Sequence, residues 1–202
     1  MNVEHFDWWP SELFEPIWIG SNAAVCLEGV PTPSNAFVIY LRNSEVFGTG
    51  GHPATRAVIS KLMARDISPS LSVIDFKCGT GLLGIICAKF GTNVTFMDSD
   101  RNAIEEAVEN CSRNDCAPAA ASFKAEKGPK ADILVTHQST FKNVKKYASD
   151  MHRVTKGGAT LILSGHRANE HRAVTNILSE FFTIENSSSF EGWPVIIARR
   201  DK

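Results

Sequence analysis

Ser72-Val73-Ile74-Asp75-Phe76-Lys77-Cys78-Gly79-Thr80-Gly81 decides how the rest of the chain is read. Its first residues are those of a buried strand. The small residues that follow form a glycine-rich turn, and Leu82 onward opens a helix. A strand, turn and helix in that order present backbone N–H groups and a helix N-terminus to anything lying against the turn. Working outward, the same alternation repeats. Helices are expected at 53–65, 81–90, 101–113, 140–153 and 168–180. Strands are expected at 71–75, 93–97, near 120–125, 132–136 and 159–163, with Lys156-Gly157-Gly158 as a turn and two terminal strands at 181–185 and 194–199. The helix at 101–113 is the clearest, with Ile104, Ala107, Val108 and Cys111 on one stripe. Strands alternating with helices of this length imply a largely parallel sheet covered on both faces.

Residues 1–50 differ from this. They are rich in aromatics and proline (Trp8, Trp9, Pro10, Pro16, Trp18, Pro31, Pro33), with short strand-like runs at Ile17–Ile19, Ala23–Leu27 and Ala36–Leu41. The expected organisation is an extended, β-rich segment over 1–50 and an α/β domain over 51–202. Of the 202 residues, 43% are hydrophobic and 21% charged, as in an ordinary globular protein. The net charge of −1 argues against a nucleic-acid binder. No apolar run is long enough to span a bilayer. Five cysteines (Cys26, Cys78, Cys87, Cys111, Cys116) and no secretory leader suggest a cytoplasmic protein. Neither these nor the histidines show metal-binding spacing.

Right-handed crossovers would bring the carboxyl ends of the strands together, gathering Lys77–Gly81, Asp98 and Thr136–Gln138. Gly79-x-Gly81-x-x-Gly84 matches a dinucleotide fingerprint, and Asp98 ends the next strand, where a carboxylate can accept both hydroxyls of a ribose. The plain alternatives are helix–strand packing for the glycines and helix capping for Asp98, although Ser99 and Asp100 can cap without it. Two cofactors fit this layout, a nicotinamide dinucleotide and S-adenosylmethionine. The acid Asp75 before the turn favours the second. A further loop, Phe47-Gly48-Thr49-Gly50-Gly51-His52-Pro53-Ala54-Thr55, is able to close over a ligand before Pro53 starts a helix.

Phe-Gly-Thr-Gly-x-His-Pro-x-Thr ahead of such a turn resembles the PrmA-like family of lysine methyltransferases that act on large-subunit ribosomal protein eleven. Phe14-Glu15-Pro16-Ile17-Trp18-Ile19-Gly20 resembles that family's linker. Leu161-Ile162-Leu163-Ser164-Gly165 and Trp193 to Arg200 resemble its late strands. The resemblance implies a Rossmann-like class I methyltransferase sheet of about seven strands with S-adenosylmethionine against the turn at Asp75, Lys77, Gly79 and Gly81. It also implies cofactor roles for the positions of Thr55, Lys77, Asp98 and His137. Thr55 and Asp98 keep the family's residues. Lys77 stands where the family has the first glycine of the turn, and His137 where it has an asparagine. The matched stretch begins at the linker, so the family's substrate-recognition domain, and with it the ribosomal substrate, is not carried over.

Lys77 has two possible consequences. Its stem can fill the space of the cofactor's amino-acid part, or its ammonium can pair with the cofactor's carboxylate. A positive φ at 77 would add about 1–3 kcal/mol of strain and argue for lost function. His137 can orient or deprotonate an amine, or it can be a loop residue without a role. The reading reached from sequence is an S-adenosylmethionine-dependent methyltransferase, amino-directed, acting on a protein or small-molecule acceptor, with His137 as the catalytic candidate. The alternatives are a degenerate methyltransferase fold serving as an interaction protein through Trp8, Trp9, Phe14 and Trp18, and a nicotinamide oxidoreductase.

Overall fold

The computed structural model describes residues 15–44, 46–118, 120–122 (backbone alone) and 129–201. Trp8, Trp9 and Phe14 lie outside the described residues, as do the last residues of the strand expected near 120–125. The first element is a three-stranded sheet of β1 (Ile17–Ile19), β2 (Ala23–Leu27) and β3 (Phe37–Leu41). The strands β1 and β2 pair antiparallel, whereas β2 and β3 are parallel.

Next come α1 (Pro53–Met63), β4 (Ser72–Phe76), α2 (Leu82–Lys89), β5 (Asn93–Met97), α3 (Arg101–Arg113), β6 (Ala120–Ser122), β7 (Ala131–Thr136), α4 (Phe141–Arg153), β8 (Thr155–Ser164), α5 (His171–Leu178), β9 (Thr183–Phe190) and β10 (Trp193–Arg199). The seven strands β4 to β10 form one sheet in the order β6-β5-β4-β7-β8-β10-β9. The first five are parallel, and β10 runs antiparallel to both its neighbours. The mostly parallel, Rossmann-like sheet expected from the sequence is therefore present.

Strand alternation distributes the core. Val73, Ile133, Val135, Ile162 and Val195 face α1, α2, α3 and the small sheet. Their neighbours Ile74, Leu134, Leu161, Leu163 and Ile196 face α4 and α5. Successive side chains of a strand point to opposite faces, so a continuous apolar run is required where both faces are covered. Two expectations need correction. Lys156-Gly157-Gly158 is part of β8 rather than a turn before it, and Gly158 N–H bonds to Arg200 O beside β10. The expected helix at 168–180 is a 3-10 turn at Ala168–Glu170 followed by α5.

The strand order reverses at β4, with β5 on one side and β7 on the other. Ligands of open α/β sheets bind in the crevice outside the carboxyl strand ends at such a point. Registers Phe76↔Met97 and Asp75↔Val135 place the next residue of each strand, Asp98, Lys77 and His137, in one row across that crevice.

Candidate active site

The turn after β4 is held from several sides. Cys78 N–H donates to Met97 O at 3.2 Å, Gly81 N–H to Cys78 O at 2.9 Å, and Thr80 N–H to Phe47 O at 3.1 Å. Thr80 Oγ1 donates to Gly48 O at 2.7 Å, so the glycine loop after β3 lies directly on the turn. This explains the glycines. A Cβ on Gly79 would run into the carbonyl oxygen of Phe47, one on Gly81 would sit 2.7 Å from Ala107 Cβ, and one on Gly84 would strike the Phe96 ring. All three are demanded by internal packing, the plain alternative for the fingerprint.

Asp75 is fully buried and accepts Gly84 N–H at 2.8 Å, tying β4 to α2. Its second oxygen has no hydrogen-bond partner. Burial pushes its pKa up to about 8, the Gly84 N–H opposes this, and the Asp98 charge adds to it. Asp75 thus orients the turn from beneath.

Lys77 adopts φ +57, the left-handed conformation that a glycine would hold without strain. Its Nζ lies 2.5 Å from Asp98 Oδ1 and 3.1 Å from Ser99 Oγ. Asp98 also accepts Asp100 N–H at 3.0 Å through Oδ1 and faces Gly79 N–H at 3.5 Å through Oδ2. Asp100, not Asp98, caps α3 by accepting Asn102 N–H. The acid at the end of β5 is therefore free of capping duty but paired with the lysine.

His137 is buried, and its Nδ1 is 2.9 Å from Thr55 Oγ1, a residue with no exposed surface at the start of α1. Burial, then the His52 charge, lowers its pKa to about 4, against an opposing effect of Asp98. At neutral pH the ring is uncharged. Its Nε2 has no hydrogen-bond partner. Beside it opens a cavity of about 430 Å³ lined by Phe47, His52, His137, Gln138, Asn143 and Trp193 among others. His52 caps α1 by accepting Ala54 N–H and meets Trp193 edge-on at 4.5 Å.

The structure brings Thr55 to His137 and Lys77 to Asp98. The sequence reading missed both pairings, and it missed the contact of Phe47 with the turn. A signal existed for Lys77 and Asp98, because each follows a parallel strand by one residue.

The family model for ribosomal protein L11 methyltransferase (PrmA) matches residues 1–201. The chain belongs to this family. A ribosomal protein L11 methyltransferase of Shewanella sp. (strain ANA-3) is 32% identical over 207 residues, covering 98% of this chain and 69% of the relative, and one of Shewanella baltica (strain OS223) matches equally. The solved ribosomal protein L11 methylase of Lactobacillus delbrueckii subsp. bulgaricus superposes with a TM-score of 0.79 at 19% identity, over 94% of this chain and all of that one. An N-methyltransferase, NodS of Bradyrhizobium japonicum, solved with S-adenosyl-L-homocysteine, gives 0.58 at 16% identity over 75% of this chain and 89% of its own. Family and fold place the chain among class I methyltransferases. Among its described residues, no helix is long and apolar enough to cross a membrane.

Proposed function

We propose that this chain is an S-adenosylmethionine-dependent methyltransferase directed at an amine, on a protein or a small molecule. The observation that carries the cofactor is Asp98. Its carboxylate sits at the carboxyl end of β5, beside the glycine turn, with no capping role to account for it. These residues fit a ribose-bearing ligand once Lys77 leaves Asp98 Oδ1 and the Phe47 carbonyl lifts from Gly79. Asp98 would take the ribose hydroxyls, and Gly79, Gly81 and Thr55 would border the ligand. S-adenosylmethionine, when bound, supplies an electrophilic methyl group. Everything else is positioning by the chain.

The acceptor reading rests on His137 and its cavity. When Nδ1–H is donated to Thr55, the buried Nε2 keeps a lone pair that can receive an N–H from an amine once the loop over it at Gly48 opens. The uncharged ring does not repel that amine, and the walls of Phe47 and Trp193 desolvate it. His137 then acts as an orienting acceptor in preference to a strong base, because its depressed pKa makes proton uptake at neutral pH unfavourable.

Thermal unfolding with S-adenosylhomocysteine tests the cofactor. At one hundred times the dissociation constant, binding adds about 2.7 kcal/mol, which raises the midpoint by roughly 5–10 °C for a chain of this length. Asp98→Asn should abolish that rise. A second reading, a cofactor-silent fold kept for interactions, is favoured by the Lys77–Asp98 pair, by the Phe47 carbonyl lying over Gly79 and by the positive φ at Lys77. It requires no rise in the natural protein and a rise restored by Lys77→Gly.

A further inference from the structure

We propose that Lys77 makes the crevice select for nucleosides that carry their own carboxylate. The inference rests on the cofactor reading above and assigns a specificity role to the ammonium that covers Asp98.

The geometry turns on what happens when a ligand hydroxyl approaches Asp98. The Asp98 side chain is 3% exposed, and its Oδ1 already receives Lys77 Nζ at 2.5 Å and Asp100 N–H at 3.0 Å. A diol therefore gains Asp98 only by displacing the ammonium. The Lys77 side chain is itself only 18% exposed, and its other contact, Ser99 Oγ, carries no charge. Asp75, the next acid in the turn, is committed to Gly84 N–H and pointed into the core. A displaced Lys77 thus loses its counterion in a place where water replaces it poorly. Leaving one member of a desolvated ion pair unmatched is far costlier than exchanging its partner.

A neutral nucleoside such as 5′-methylthioadenosine incurs that loss in full. A nucleoside with an amino-acid tail replaces the lost partner: Asp98 passes from the ammonium to the diol, and the ammonium passes to the incoming carboxylate. The exchange keeps every charge paired, so the lysine opposes the first ligand much more than the second. Its φ of +57 is one that glycine holds without strain, so Lys77→Gly keeps the path of the turn.

Calorimetric titration of S-adenosylhomocysteine and 5′-methylthioadenosine into the natural protein, Lys77→Gly and Lys77→Asn provides the test. Asparagine keeps a side chain, is neutral and tolerates the left-handed conformation, so it separates charge from bulk. The expected result is that both variants gain at least tenfold in affinity for 5′-methylthioadenosine while S-adenosylhomocysteine changes by less than threefold. An equal gain for both ligands would make Lys77 a simple obstruction and overturn the inference. So would an unchanged ratio, or a gain in the glycine variant alone. If neither ligand binds any of the three proteins, the cofactor reading itself falls and takes this one with it.

Discussion

Two pairs of side chains occupy the crevice, and they are built differently. Lys77 and Asp98 are opposite charges joined at the rim, with the lysine partly open to water. Thr55 and His137 are neutral, buried and joined by one hydrogen bond. A charged pair at a rim can be exchanged for a ligand's charges, because the ligand can supply a new partner to each member. A neutral pair in the core has no such alternative, since breaking it strands polar atoms among apolar neighbours. The first pair should therefore govern binding, and the second should govern stability.

The largest effect should follow from emptying the neutral pair. His137→Ala removes a buried ring packed against Phe47 at a centroid distance of 5.3 Å and leaves Thr55 Oγ1 without its partner. Cavity and orphaned hydroxyl together should cost about 3–4 kcal/mol, lowering the thermal midpoint by roughly 6–15 °C. A drop under about 2 °C by calorimetry would show that His137 is not the buried strut described here.

Protonation should break the same pair more gently. His137 is depressed from 6.5 to about 4, so the stability it contributes is complete above pH 6.5 and is lost as pH falls toward 4. Between pH 7.5 and 5 that loss is about 2 kcal/mol. His166, also lowered to about 4, acts in the same direction, whereas Asp75, raised to about 8, makes the fold more stable as pH falls from 8 toward 4. Wild-type pH dependence therefore mixes opposing contributions. The difference between wild type and His137→Asn isolates the histidine. Denaturant titration at both pH values should show the variant losing about 2 kcal/mol less on acidification. Parallel curves would mean that His137 titrates normally.

Thr55→Val probes the pair from its other side. The change is nearly isosteric but strands His137 Nδ1, so a loss of about 1–2 kcal/mol is expected. In the double variant with His137→Ala the urea midpoint shift should be less than the sum of the two single shifts, because either change alone already removes the bond. Full additivity of the double variant would dissolve the pair as a unit.

How much of this was legible in the sequence varies with what sets each feature. The alternation of apolar runs fixed the sheet and both helical layers, because a strand covered on two faces must be apolar throughout, as at Val73–Ile74 and Leu161–Leu163. The start of β8 was not legible. Lys156-Gly157-Gly158 has turn chemistry, but pairing at the start of β8 with the chain around Arg200 outweighs local preference. At the site, the positions of Asp98, Lys77 and His137 followed from strand ends, whereas their partners did not. Contacts such as Lys77 with Asp98 depend on register across two strands, and the weight of Phe47 on Gly79 depends on where a distant loop returns. The glycine fingerprint pointed to a ligand while its steric cause was internal.

The smallest effect should come from the charged pair. Lys77→Gly removes an ion pair but relieves a side chain held at φ +57, and glycine adopts that conformation without strain. Asp98 is not orphaned by the change, because Asp100 N–H and Gly79 N–H remain on its oxygens. The lysine takes its charge with it and the carboxylate keeps two N–H donors, so losing the pair costs about 1–2 kcal/mol, and relief of a left-handed residue returns about the same. The two should offset each other, leaving the thermal midpoint within roughly 3 °C of wild type. Should the fold lose nothing, Lys77 would owe its place on Asp98 to what enters the crevice. A loss above about 2 kcal/mol in the glycine variant would reverse that inference, making Lys77 a strut like His137 and erasing the contrast between the two pairs.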